Sequence, residues 1–197
     1  MRVGVFLDRD GTINKEVGYL YETEKLIVIP GAARAIKRLN DHGMPVVCVS
    51  NQSGVARGLY SIDSVCKVNQ RLEDLLKTKG AHLDMILFCP HHPTEGRSPY
   101  KKSCSCRKPG PGMLEKAATE LEIDLPRSYL IGDCLSDIQA ARAAGLKAIL
   151  VLTGHGREEM ENIRKYPDLK PDHICPDIVA GIDWILKQEG LNSYKSS

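Results

Sequence analysis

The chain has 197 residues, 42% hydrophobic and 26% charged, with a net charge of +2. That length suffices for one domain with its own core, and the absence of a long single-sign charge block argues against a nucleic-acid tail or a membrane-binding patch. The first acidic pair arrives too early for a signal-peptide apolar region and no stretch approaches the ~18 apolar residues of a membrane span, so a cytoplasmic protein is expected.

In chain order, apolar runs rich in strand formers occur at 2–7, 45–50, 85–89, 128–132 and 147–152. Helix-like stretches fall near 31–42, 62–79, 112–122 and 136–144. Ala32, Ala33, Ile36 and Leu39 have helical spacing and Gly43 follows as a stop signal, while Gly145 ends the last stretch. Strands apolar throughout and separated by helices predict an α/β fold with a parallel sheet covered on both faces. Segment 15–29 is long for a strand-to-helix turn, and Gly18-Tyr19-Leu20-Tyr21 suggests a small hairpin or flap. The expected organisation is one domain over 1–190, with a polar, frayed tail over 191–197.

Ligands of such sheets gather beyond the carboxyl ends of the strands. The first strand ends in Asp8-Arg9-Asp10-Gly11, the second in Ser50-Asn51-Gln52-Ser53-Gly54 and the fourth in Gly132-Asp133. Asp8 and Asp10, two apart, would crowd one another if the chain stays extended, and like charges that close raise a pKa or demand a cation. The competing reading is two polar residues opening a loop.

Cys89-Pro90-His91-His92 and Cys104-Ser105-Cys106 supply four soft or borderline ligands across a loop insert at 89–106. Three thiolates and an imidazole suit a closed, structural Zn²⁺ site, with Cys89, His91, Cys104 and Cys106 as ligands, His92 competing with His91, and metal-free reduced thiols as the alternative. The intervening loop has no apolar period and is expected to need the metal in order to pack. Cys48, Cys66, Cys134 and Cys175 read as packing or incidental residues. Arg107 and Lys108 follow the last ligand and form either an anion site or a solvated basic pair.

Taken together, Asp8-Arg9-Asp10-Gly11-Thr12, Ser50-Asn51-Gln52-Ser53, Lys108-Pro109 and Gly132-Asp133-Cys134-Leu135-Ser136-Asp137 resemble the four ordered motifs of the haloacid dehalogenase superfamily phosphatases, from about residue 3 to 153. The resemblance implies a three-layer, doubly wound, Rossmann-like sheet without a cap domain. Asp8 would be the nucleophile that forms an aspartyl-phosphate, and Asp10 the acid and then base. Mg²⁺ would be held by Asp8, the Asp10 backbone carbonyl and Asp133. Ser50 and Lys108 would bind the phosphoryl oxygens, and Asp137 would support Lys108 or the metal shell.

The zinc loop and the run Cys104-Ser105-Cys106-Arg107-Lys108-Pro109 resemble the branch of that superfamily that removes the C7 phosphate of a heptose 1,7-bisphosphate in nucleotide-heptose synthesis. The alternative is the branch acting on histidinol phosphate, which carries the same zinc ligands with a shorter loop. A non-catalytic zinc-binding interaction module is the third reading. By the same resemblance Glu16, Gly18, Tyr19, Ser50, Asn51, Gln52, Ser53, Arg107 and Lys108 would contact a small sugar bisphosphate; the 5% aromatic content and the lack of an obvious exposed apolar stripe make a monomer the expectation. Two positions depart from the commonest pattern: Ser50 stands where threonine is frequent, and Cys134 where some members carry a substrate-contacting lysine.

Overall fold

The computed structural model of the protein describes residues 1–163, 165 and 169–191. Its strands are β1 (Val5–Leu7), β2 (Val46–Asn51), β3 (Met85–Cys89), β4 (Tyr129–Gly132), β5 (Lys147–Val151) and β6 (His173–Cys175). They form one six-stranded sheet in the order β3-β2-β1-β4-β5-β6, every pair parallel. The helices are α1 (Ala32–Asp41), α2 (Ile62–Lys77), α3 (Gly112–Leu121), α4 (Leu135–Ala144) and α5 (Gly156–Ile163) between strands, and α6 (Ile178–Gln188) after the last one.

β1 shows how three residues organise three layers. Val5 and Leu7 face one core with the buried residues of α1, α2 and α6, while Phe6 faces a second core with α3, α4 and α5. Opposite projection of successive strand residues makes that division. β1 is also the switch point of the sheet, pairing β2 on one side and β4 on the other, so its carboxyl end opens onto the crevice between them.

All five expected strands form. The first is shorter than the 2–7 run because the Gly4 amide donates to the Ser128 hydroxyl at 2.9 Å, and Arg2 makes only an isolated bridge to Ile123. β6, α5 and α6 were not anticipated. α6 buries Ile178, Ile182, Ile185 and Leu186 on one face, and Asp177 caps it by accepting the Ala180 amide at 3.0 Å. Burying each such side chain stabilises the fold by about 1.5–3 kcal/mol, which anchors the end of the chain.

Segment 15–29 is a flap rather than a hairpin at Gly18–Tyr21. Its base is closed by the Lys15 amide on the Ile27 carbonyl (2.8 Å) and the Ile29 amide on the Ile13 carbonyl (2.9 Å). Gly18 turns the chain at φ +82°, but Tyr19 and Tyr21 pack their rings against Tyr60 instead of pairing as strands. Leu191, expected to begin a frayed tail, packs against the core and donates its amide to Leu186 at 2.8 Å; residues 192–197 lie outside the described residues. Among the described residues no helix is long and apolar enough to cross a membrane.

Candidate active site

Asp8 leaves β1 with its amide on the Ile131 carbonyl of β4 (2.9 Å), which fixes the backbone at the switch point. Its carboxylate receives the Lys108 ammonium at 2.6 Å. Lys108 is held on three sides: Asp8, the Val49 carbonyl at 2.9 Å and Asp137 of α4 at 2.5 Å. The Asn51 amide clamps the backbone of Lys108 with two bonds of 3.0 Å, one to its carbonyl and one from its N–H. Against the cost of burial, Asp137 and Asp8 raise the Lys108 pKa, so the ammonium stays charged. Burial pushes Asp8 well above the usual carboxylate range; Lys108 opposes the shift, and Asp137 and Asp133 add to it.

The expected crowding of Asp8 against Asp10 is not what the structure builds. Asp10 has its own donors: the Arg9 guanidinium at 2.8 Å, the Asn14 amide at 2.9 Å and the Gln52 amide at 2.9 Å. Gly11, at φ +87°, turns the chain straight after the pair, so the extended geometry ends there. The carboxylates that bear on Asp8 come instead from β4 and α4.

Asp133 is wedged between two glycines. A Cβ on Gly11 or on Gly154 would lie 2.1 Å from Asp133 Oδ2, so only glycine permits the approach. The His155 amide donates to that oxygen at 2.8 Å, while Oδ1 is buried and has no hydrogen-bond partner. Burial and Asp137 push this carboxyl up to about 6. Asp8 and Asp137 share the Lys108 ammonium and Asp133 adds a third carboxyl bearing on Asp8, so the cluster has three carboxyls to one fixed cation, an imbalance that a divalent cation would relieve. An orphaned buried oxygen among hard donors fits Mg²⁺ held by Asp8 and Asp133. With its carboxylate occupied elsewhere, Asp10 would offer only its backbone carbonyl.

Ser50, at the end of β2, is buried and accepts the Gln52 amide at 2.6 Å. These side chains open onto a cavity of about 320 Å³ lined by all the expected contacts: Glu16, Gly18 and Tyr19 from the flap, Ser50–Ser53 from the end of β2, and Arg107 and Lys108. The strand-end rule missed several others. His155 lines the cavity after β5, a strand end that the sequence pattern left without a polar motif. Arg9, fully buried, ties Asp10 to Asn69 of α2 at 2.7 Å, a contact no local spacing announces. Cys134 lines the cavity and forms the N-cap of α4 with Asp137, so it is neither isolated nor incidental. Burial and its carboxylate neighbours push its thiol up.

The four expected soft ligands converge beside this cavity. The three sulfurs of Cys89, Cys104 and Cys106 lie 3.2–3.5 Å apart, and His91 Nδ1 lies 3.2–3.6 Å from each. A tetrahedral zinc with bonds of about 2.0–2.3 Å requires edges of about 3.5–3.8 Å, so the donor set has the right shape and chemistry. His92 turns away: its Nδ1 accepts the Glu95 amide at 2.9 Å. The loop also docks without metal ligation, through the Arg97 amide on Ala56 (3.1 Å) and the Arg57–Glu95 ion pair (2.5 Å). Gly96 makes that docking possible, because a Cβ there would meet the Ala56 carbonyl at 1.9 Å. Cys106 directly precedes Arg107, whose guanidinium donates to the His91 carbonyl at 3.2 Å.

A family model described as HAD-hydrolase-like matches residues 105–180. D-glycero-D-manno-heptose-1,7-bisphosphate 7-phosphatase of Thermosynechococcus vestitus is 45% identical over 188 residues, covering 93% of this chain and 95% of that one. The chain belongs to the heptose-bisphosphatase family of the haloacid dehalogenase superfamily. The enzyme of the same name from Chlorobaculum tepidum is 37% identical over 184 residues, 90% of this chain and 91% of that one. A crystal structure of D,D-heptose 1,7-bisphosphate phosphatase from B. bronchiseptica, complexed with magnesium and phosphate, matches this heptose-bisphosphatase relative with a TM-score of 0.83 and 34% identity, covering 95% of this chain and 99% of that one.

Proposed function

We propose that the protein hydrolyses the C7 phosphate of D-glycero-D-manno-heptose 1,7-bisphosphate, leaving the sugar 1-phosphate for nucleotide-heptose synthesis. The observation that carries this reading is the Lys108 ammonium clamped between Asp8 and Asp137 at the end of β1, beside the unpartnered oxygen of Asp133. The names of the 37–45% identical relatives support the substrate.

In the first step an Asp8 carboxylate oxygen attacks the phosphorus as the bond from phosphorus to the C7 oxygen breaks. Asp10 gives its proton to that oxygen, and the sugar leaves with a free hydroxyl. In the second, Asp10 takes a proton from water, whose oxygen attacks the phosphorus. The bond to Asp8 breaks and phosphate leaves. Lys108 and the Ser50 hydroxyl hold the equatorial oxygens throughout. Asp8, the Asp10 carbonyl and Asp133 would hold Mg²⁺, which would supply charge neutralisation on the transferring group. Arg107 grips substrate oxygens away from the reacting centre, and Zn²⁺ on Cys89, His91, Cys104 and Cys106 fixes the loop that carries it. Residues 1–190 act as one capless phosphatase unit, with 89–106 as its metal-binding insert.

Steady-state hydrolysis of the heptose bisphosphate and of histidinol phosphate tests the assignment. The expected kcat/KM favours the heptose bisphosphate at least about a hundredfold, because buried polar groups built for one ligand reject another. Preference for histidinol phosphate would overturn it.

A further inference from the structure

Every polar atom of the Gln52 side chain is engaged. Its Nε2 donates to Asp10 at 2.9 Å and to Ser50 Oγ at 2.6 Å, and its Oε1 accepts the Tyr60 hydroxyl at 2.9 Å. Gln52 is only 2% exposed, so water does not compete for these bonds. A carboxylate only accepts, so the Asp10 contact dictates which end of the amide carries the hydrogens. The other end is then a buried carbonyl that requires a donor, and Tyr60 supplies it. Ser50 Oγ receives an N–H on a lone pair, which turns its own proton away from Gln52. Ser50 lines the same cavity as Asp8 and Lys108. The bonds therefore run with one polarity, from phenol to amide to hydroxyl to cavity, and bonds in such a chain polarise one another.

The position of Tyr60 is built as well. A Cβ on Gly54 would lie 2.1 Å from its ring, so the glycine makes the space the ring occupies. Its other neighbours are the flap residues Tyr21, stacked at 5.7 Å, and Tyr19, at 6.2 Å. Burial pushes the phenol up to about 12, so it remains a donor across the working range of a phosphatase.

We propose that Tyr60 is a positioning residue: acting through Gln52, its hydroxyl directs the Ser50 hydroxyl toward the transferring phosphoryl group and holds the Asp10 carboxyl beside it. Gln52, expected from the sequence to contact substrate, acts here as the relay. This rests on the phosphatase reading and adds a residue outside its four motifs.

The test is a double-mutant cycle on the metal-loaded full chain, with heptose 1,7-bisphosphate as the probe. Tyr60→Phe keeps the ring and removes one oxygen. It should lower kcat about tenfold, the worth of one buried hydrogen bond, with KM within about twofold. Gln52→Leu should lower kcat further, and adding Tyr60→Phe to it should change kcat less than about twofold, because the path is already cut. A wild-type kcat in Tyr60→Phe, or a full multiplicative loss in the double variant, overturns the proposal. Asp8→Asn run alongside separates the two ideas. If it abolishes turnover, the phosphatase reading stands whichever way Tyr60→Phe falls. If turnover survives it, that reading fails first.

Discussion

Two clusters of potential ligands lie side by side and are built in opposite ways. The sulfur and imidazole donors come from residues 89–106, two short stretches of one connection, and form a near-regular tetrahedron with no ligand position left open. The carboxylates and Lys108 come from three separate connections, those after β1, β3 and β4, carry unbalanced charge and leave one buried oxygen unpartnered. A complete donor set suits a staple, whereas an incomplete, unbalanced one is a place where charge can be received. Physical completeness, rather than ligand type, is what sets the two clusters apart.

That contrast can be broken most sharply at Lys108. Lys108→Met leaves Asp8 and Asp137 buried without their shared cation, and should cost about 3–5 kcal/mol of stability by urea unfolding and at least about 10²–10³ in kcat. A stable, active variant would show that the charges balance without it. Stripping zinc, or Cys106→Ser, should act differently. Proteolysis in 93–103 should accelerate and KM should rise as Arg107 loses its anchor, with kcat less affected; Mg²⁺ depletion should stop turnover reversibly and leave the loop protected. Identical responses to the two metals would erase the distinction. Asn51→Ala removes both bonds to the Lys108 backbone and should lower kcat/KM about tenfold.

The smallest expected effect concerns the remaining thiols. Burial pushes Cys48 up to about 12, so only about 10⁻⁴ of it is thiolate near pH 8, rising about tenfold per pH unit. Alkylation of the zinc-loaded protein, followed by peptide mass spectrometry, should mark exposed Cys66 first and Cys48 last. Early labelling of Cys48 would mean that the sheet opens.

Much of the sheet was legible because buried parallel strands are apolar throughout, and the sulfur and imidazole set because its spacing is local. The end of the chain was not read, although Ile178, Ile182, Ile185 and Leu186 carry a helical period after the capping Asp177. β6, with three residues, is too short to announce itself. At the site, strand ends gave Asp8, Ser50 and Asp133, but spacing alone misassigned the neighbours. Proximity in sequence suggested that Asp10 loads Asp8, whereas burial raises Asp8 most and the like charges that add to it are Asp137 and Asp133, more than a hundred residues away. Arg9–Asn69 and Gln52–Tyr60 escaped for the same reason: packing decides which polar groups share a buried pocket, and no local period encodes it.

The central claim is that Asp8 becomes phosphorylated. The unsubstituted protein should be mixed with heptose 1,7-bisphosphate and Mg²⁺, quenched during turnover, and treated with borohydride, which reduces an acyl phosphate to the alcohol. Peptide mass spectrometry should then find homoserine at position 8. Product formation with position 8 unmodified, or with the label on another residue, would contradict the account.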